Sequence, residues 1–301
     1  MSWQPAAALD VLRRRAQLTN AVRAFFADRD ILEVETPLLC TTGVTDPAIE
    51  PFVVTQGQAI DTPRFLQTSP EYAMKRLLAA HNAPIFQISK AFRDGEVGTR
   101  HNPEFTMLEW YRPGFDHHAL MDEVAELLVH CLGDRPVQRL SYRALFEREL
   151  SIDPHTATTS DLASLARKHA DTGAMEGDRD LWLDLLMTHI VEPRLAEQGA
   201  CFVYDYPASQ AALSRIVEVD GTRVGQRFEL YVDGIELANG YCELTDADEQ
   251  RARFEADNAL RRERGQEERP IDEALLAAME SGLPECSGVA LGLDRLMMLL
   301  V

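Results

Sequence analysis

The chain is short of cysteine, of positive charge and of long apolar runs, and each shortage removes a class of protein. Only five cysteines occur in 301 residues (Cys40, Cys131, Cys201, Cys242, Cys286), widely scattered and with no CxxC pair. That pattern excludes a disulfide frame or a clustered zinc site and leaves small, reduced, apolar side chains. No apolar stretch is long enough to span a bilayer, and the start, MSWQPAAALDVLRRRAQL, lacks the apolar core of a secretory signal. The sequence therefore reads as a soluble cytoplasmic protein with no membrane partner. Lys and Arg number 30 against 49 Asp and Glu, a net charge of −19. Nucleic-acid binders need a basic footprint for the phosphates, so this balance argues against such a partner. One basic run, Arg13-Arg14-Arg15 with Arg23, reads as a solvated helix face. There is no internal repeat and no low-complexity linker, so residues 1–301 read as a single domain.

What is present is a mixed pattern of strands and helices. Residues 6–29 carry Leu9, Leu12, Ala16, Val22, Phe25 and Phe26 at helical spacing. ILEVETPLL follows as a strand that Pro37 breaks or confines to an edge. Ser69-Pro70-Glu71 predicts a helix start, with Ser69 as cap and Pro70 at the first position. PIFQISKAF (84–92) and EFTMLEWY (104–111) predict an antiparallel hairpin with a long polar loop. Residues 116–200 read mainly as helix, an insertion beside the sheet. CFVYDYP, RIVEV, RFELYV and IELANGYCEL predict strands, the last two joined at Asp233-Gly234. A helix over about 247–264 and a final strand running into a helix, SGVALGLDRLMMLLV, complete the chain. Strands without regular βαβ alternation predict an α+β fold, an antiparallel sheet flanked by helices.

Strand alternation sorts the chemistry. Phe105, Met107, Glu109 and Tyr111 share a face. Glu109 there belongs either to an exposed sheet face or to a polar pocket that accepts a cation. Around Asp233-Gly234, Tyr231 faces Glu236 and Glu229 faces Ala238, so Glu229, Tyr231 and Glu236 point the same way. Two such carboxylates suit a divalent cation and otherwise repel. Asn239, Tyr241 and Glu243 have the opposite parity, and one extra residue, a bulge near Ala238-Asn239-Gly240, brings both sets to one side. Arg93 at a strand end and Arg295 in the first turn of the last helix have the guanidinium forks that suit phosphate oxygens, and surface ion pairs are the plainer reading of each.

Together these segments resemble the class II aminoacyl-tRNA synthetases, and within them the lysyl branch. FFADRDILEVETPLL looks like motif 1 with Pro37 as its proline, FRDGEVGTRHNPEFTMLEWY like motif 2, and GVALGLDRL like motif 3. TSPEYAMKRLL and FELYVDGIELANGYCELTDADEQRARF match further lysyl-type segments. The first helix begins near residue 6, leaving no room for the N-terminal anticodon-binding domain of lysyl-tRNA synthetases. A free-standing lysyl-type core is similar to the ligases that attach (R)-β-lysine to translation elongation factor P. Trp110 within Glu109-Trp110-Tyr111, and Ala290 where lysyl synthetases usually carry glycine, favour that subfamily.

The resemblance implies ATP and Mg²⁺ as cofactors, lysine or (R)-β-lysine as substrate, elongation factor P as acceptor, no tRNA, and a homodimer built on motif 1. It gives Arg93 the α-phosphate and the substrate carboxylate, and Arg295 the γ-phosphate; these are the catalytic pair. Arg100 and His101 approach the phosphates and adenine, Phe105 stacks on the base, Gly292 lines the ATP site, and Glu229 and Glu236 hold Mg²⁺. Motif 2 usually begins Phe-Arg-x-Glu; here Gly95 stands at the glutamate position and Glu96 follows as its substitute. Ser69 and Glu71 lie near the substrate's backbone amine and Asn239 near its carboxylate. Glu109, Tyr111 and Glu243 surround the ε-ammonium, Tyr241 lies along the aliphatic chain, and Ala290 forms the pocket floor. The implied reaction is formation of an aminoacyl-adenylate and transfer to a lysine ε-amine. A truncated synthetase paralogue that acylates tRNA or makes free lysyl-adenylate is the alternative. A site-dead binding module is disfavoured by the presence of Arg93, Arg295, Glu229 and Glu236.

Overall fold

The computed structural model describes residues 3–57, 62–170, 172–173 and 175–301. The chain opens with α1 (Leu9–Ala27). ILEVETPLL then gives two short strands, β1 (Leu32–Glu33) and β2 (Leu39–Cys40), parted at Pro37. β3 (Val53–Val54), β4 (Arg64–Leu66), α2 (Glu71–His81), β5 (Ile85–Phe92) and β6 (Glu104–Pro113) follow. The stretch read as helical holds α3 (His117–Leu132), α4 (Tyr142–Leu150), α5 (Thr159–His169), α6 (Arg179–Leu186) and α7 (Glu192–Leu195), and also a strand, β7 (Val137–Ser141). A π-turn over Met187–Val191 links α6 to α7. It lies just before Pro193, which has no N–H to return to the preceding turn. Then come β8 (Ala200–Pro207), β9 (Ile216–Val219), β10 (Thr222–Val232), β11 (Ile235–Cys242), α8 (Ala247–Glu263), α9 (Glu273–Glu280), β12 (Cys286–Gly292) and α10 (Leu293–Met298).

These elements form two compact units, one of Met1–Phe115, His130–Leu132 and Thr245–Val301, the other of Asp116–Val129 and Gly133–Leu244. In the first, β1, β5, β6 and β12 lie side by side, and β2, β4 and β3 make a small antiparallel sheet. β5, β6 and β12 pair antiparallel, as the hairpin reading predicts. β1 joins β5 in parallel, because the chain returns to it across α2 rather than through a hairpin. Phe26 of α1 stacks on Phe86 at 4.4 Å and meets Trp110 edge-on at 5.3 Å, closing the core beneath the hairpin.

Two readings of α1 are corrected. Leu18, Val22, Phe25 and Phe26 are buried, but Leu9 and Leu12 are exposed, because nothing described in this unit covers the first two turns. The arginine run is not merely solvated: Arg15 pairs with Asp294 and donates to Thr106 Oγ1 at 2.7 Å, and Arg14 donates to the Leu300 carbonyl. Asp294 also accepts from the Thr106 N–H at 2.7 Å, so α10 is tied to both β6 and α1.

In the second unit, β11, β10, β8 and β7 are adjacent and β9 extends along β10. β7 pairs β8 in parallel, with α4 to α7 forming the crossover. These helices bury Tyr142, Phe146, Leu162, Trp182, Leu186 and Val191 together with Cys201, Val203, Tyr206 and Tyr231 from the sheet. Both units thus combine largely antiparallel sheet with helices, the α+β class that the scattered strands predict.

Candidate active site

In the first unit the register across β5, β6 and β12 sets side chains in rows. Gln87 lies opposite Glu109, and Glu109 opposite Ala290. Ile85, Tyr111 and Gly288 form the next row on one side, and Ser89, Met107 and Gly292 the next on the other. Opposite residues share a face, so β12 sets the small residues Gly288, Ala290 and Gly292 beside this part of β6, with the Arg295 side chain packed over Gly292.

Glu109 is buried, which decides between the two readings of its face. Its carboxylate accepts from Ser69 Oγ at 2.8 Å and from Tyr111 OH at 2.6 Å. These two neutral donors hold the carboxylate in place on the strand face. Ser69 Oγ also accepts the Glu71 N–H at 3.0 Å, but the cap of α2 is Pro70 rather than Ser69 and has no side-chain bond to give, so the helix begins at Glu71, one residue later than the sequence predicts. Glu71 accepts from the buried Lys75 Nζ at 2.6 Å. Sequence reasoning missed Lys75, although its place four residues after Glu71 on a helix is a recognisable pairing signal.

Arg93 extends from the end of β5. Its Nε donates to the Thr68 carbonyl at 3.3 Å, its Nη1 lies 3.4 Å from Glu96 Oε1, and its guanidinium carbon stands 5.2 Å from the centre of the Phe105 ring. Glu96 therefore meets Arg93 from one position beyond the usual glutamate. Gly95, at that usual place, has φ +81°, a backbone that disfavours glutamate, while a Cβ there would touch nothing. His101 Nε2 accepts from Arg295 Nη2 at 2.8 Å, so the loop histidine and the α10 arginine come together. Arg100 is exposed on the same loop.

In the second unit the hairpin register is close to the one predicted. Asp233 and Gly234 both have positive φ, +50° and +74°, the two-residue turn expected. Val232 pairs Ile235 and Tyr231 pairs Glu236; then one extra residue, Leu237, enters, and Glu229 pairs Asn239 rather than Ala238. The bulge comes slightly earlier than expected and has the predicted effect: Arg227, Glu229, Tyr231, Glu236, Asn239 and Tyr241 share a face. By the same alternation Glu243 follows Tyr241 on that face, and it is buried.

Glu229 is closely bound. It accepts from Tyr206 OH at 2.6 Å, from Tyr231 OH at 2.5 Å and from Arg227. Burial would lower the Arg227 pKa, but the Glu229 charge outweighs it and holds the guanidinium protonated. Burial first, and Glu229 next, raise both tyrosines well above their ordinary value, so they remain donors. Both tyrosines bond Oε2 and Arg227 bonds Oε1, so a cation at Glu229 shares the carboxylate with three donors. Glu236, on the same face and half-exposed, fits the one or two carboxylates that Mg²⁺ takes when phosphates and water supply the rest. Among the described residues no three acidic, His or Cys side chains gather into a metal cage. Sequence reasoning missed Arg227, although its place two residues from Glu229 on the same strand face was a sufficient signal; Tyr206 comes from another strand and left no local signal.

Rows built on a lysyl-type motif 2 hairpin, a small-residue motif 3 strand and paired arginines define a class II synthetase-type ligase core. Residues 2–301 match the family of class II tRNA synthetases (D, K and N), and the chain belongs to that family. It is 52% identical over 303 residues to an elongation factor P–(R)-β-lysine ligase of Pectobacterium atrosepticum, covering 99% of this chain and 93% of that one. Proteins of the same name from Sodalis glossinidius and Salmonella paratyphi A are 51% and 50% identical, with the same coverage.

Proposed function

We propose that this protein activates (R)-β-lysine, or lysine, with ATP and transfers the acyl group to a lysine ε-amine of elongation factor P. The observation that carries the reading is the buried Glu109 carboxylate, held by Ser69 and Tyr111 on the motif 2 strand. The names of its relatives supply the acceptor. The substrate carboxylate attacks the α-phosphorus of ATP, pyrophosphate leaves, and the acyl-adenylate is then opened by the acceptor amine, releasing AMP. Arg93 contacts the α-phosphate and the substrate carboxylate. Phe105, already covered on one side by Arg93, takes the adenine, and the loop from Glu96 to His101 with Gly292 and Arg295 takes the rest of the nucleotide. Glu109, Tyr111 and Ser69 bind amine-bearing substrate above Ala290, with Glu71 toward its backbone amine. On the second unit's face, Asn239, Tyr241 and Glu243 keep the substrate roles that the resemblance implies. Glu236 is the first carboxylate for Mg²⁺, which when bound offsets phosphate charge, and Glu229 joins it while shared with its three donors. No protein nucleophile is required; positioning and fixed charge supply the rate.

The protein is further proposed to work in the cytoplasm as a homodimer without tRNA. Intact-mass spectrometry of elongation factor P, after incubation with the protein, ATP, Mg²⁺ and either lysine isomer, tests the reading. A gain of one lysyl unit, larger with (R)-β-lysine, is expected. Intact pyrophosphate exchange with no gain on elongation factor P would defeat the acceptor assignment, and labelled lysine on tRNA would favour the synthetase paralogue.

A further inference from the structure

Gln87 has no role in anything described so far, yet it sits in the middle of the substrate face. It lies at the centre of β5, directly opposite Glu109, which in turn lies opposite Ala290. The residue is 1% exposed. Neither its Nε2 nor its Oε1 has a hydrogen-bond partner among the described residues. A primary amide has two donors and two acceptor lone pairs, and a buried one is nearly always bonded because desolvation without replacement is costly. An amide with both ends empty, inside a strand face otherwise made of small or satisfied side chains, calls for a partner that arrives from outside the chain.

The neighbours indicate what that partner is. Glu109 is the only carboxylate in its row, and its two oxygens already accept from Ser69 and Tyr111. An alkylammonium has three donors and no acceptor, so its demand is met only where several acceptors converge. A further acceptor beside that carboxylate, such as an amide oxygen, meets the remaining donors.

We infer that Gln87 is a specificity-determining residue whose Oε1 accepts a hydrogen bond from the substrate's side-chain ammonium beside Glu109. The inference rests on the proposed function, because it takes this face to hold an amine-bearing amino acid. It explains why the row reads amide, carboxylate, methyl: Gln87 and Glu109 read the ammonium, and Ala290 leaves space for the chain.

The test uses the full chain in amino-acid-dependent pyrophosphate exchange, with wild type, Gln87→Met and Gln87→Glu run together and thermal melts on each. Gln87→Met keeps the length and removes both polar ends. Its KM for (R)-β-lysine or lysine is expected to rise about 10- to 100-fold, the loss of one bond to a charged group, with KM for ATP unchanged. Gln87→Glu retains an acceptor and is expected to recover most of that affinity. Norleucine, which lacks the terminal ammonium, is expected to inhibit wild type and Gln87→Met equally. An amino-acid KM within twofold of wild type in a folded Gln87→Met would overturn the inference, as would a parallel rise in both KM values. If Gln87→Met fails to fold, Gln87→Glu decides: an amino-acid KM within a few-fold of wild type supports the inference, and a loss as large as that expected for methionine overturns it. Failure of the underlying reading is distinguishable, because wild type itself then shows no lysine-dependent exchange and both ideas fall together.

Discussion

Glu229 and Glu236 look equivalent in sequence, and their surroundings separate them. Glu229 neutralises the half-buried Arg227 and accepts from two buried tyrosines, whereas Glu236 is half-exposed. Glu229→Gln leaves a half-buried guanidinium without its counter-charge and should lower stability by about 2 kcal/mol. Glu236→Gln should lower the urea midpoint less than Glu229→Gln does and raise the Mg²⁺ concentration for half-maximal exchange about tenfold. Equal effects of the two substitutions on Mg²⁺ dependence would contradict the division. Alternation along β10 and β11 was sufficient to put these side chains on one face. It could not show that Tyr206, from β8, and Arg227 already occupy one of the two carboxylates, because occupancy depends on contacts far apart in sequence.

Asp257 gives a residue-scale prediction in pH. Burial raises its pKa to about 6 from 3.8, against the bond it accepts from Thr45 Oγ1 at 2.8 Å. The folded state therefore binds this proton more tightly than the unfolded chain does. The neutral form favours folding below about pH 4, and that advantage is lost as pH rises to about 6. Asp257→Asn, still able to accept from Thr45, should stabilise by about 1 kcal/mol at pH 7, the partial exposure of the site limiting the gain. The gain should vanish at pH 4, as thermal melts at the two pH values would show. A pH-independent difference would rule out the titration.

At the scale of elements, local chemistry was legible and long-range pairing was not. The Asp233-Gly234 turn, the β5–β6 hairpin and the strand-to-helix passage at Gly292 follow from residues close in sequence. The parallel edges β1 and β7 carry no such signal, since each is only a few residues long and pairs across intervening helices. The bulge was inferred from the parity of its polar residues but placed late, because either side of Ala238 satisfies that parity. The turn is testable. Gly234 has φ +74°, and a Cβ there would come within 2.7 Å of Ala196 Cβ. Gly234→Ala meets both a backbone penalty and a steric one, so a loss of about 2 kcal/mol or more is expected in urea unfolding. A neutral result would mean that α7 and the segment after it yield readily. Asp233→Asn, with a residue that tolerates the same backbone, should be near neutral.

For the whole molecule, the exposed leucines and the charge point to different surfaces. Leu9 and Leu12 on α1, and Leu32 and Leu39 in the segment that resembles motif 1, are all exposed. Scattered apolar residues are ordinary on a surface, but four leucines within the first 39 residues mark a surface that gains by being covered. The net charge of −19 acts in the opposite sense, since two like-charged copies approach only where apolar burial outweighs repulsion. The first 110 residues, which contain this segment, carry 11 basic and 13 acidic side chains, whereas residues 111–301 carry 19 and 36. The nearly neutral part of the chain is thus also the part with uncovered leucines, so its own side chains add little repulsion to self-association. Light scattering should give twice 33.8 kDa at micromolar concentration. Leu32→Glu with Leu39→Glu should give the monomer mass while the separate melting transition of each protomer persists. Because repulsion between protomers is screened by salt, the wild-type dimer should tighten as ionic strength rises. A wild-type monomer at every salt concentration would leave these leucines without a partner of their own kind.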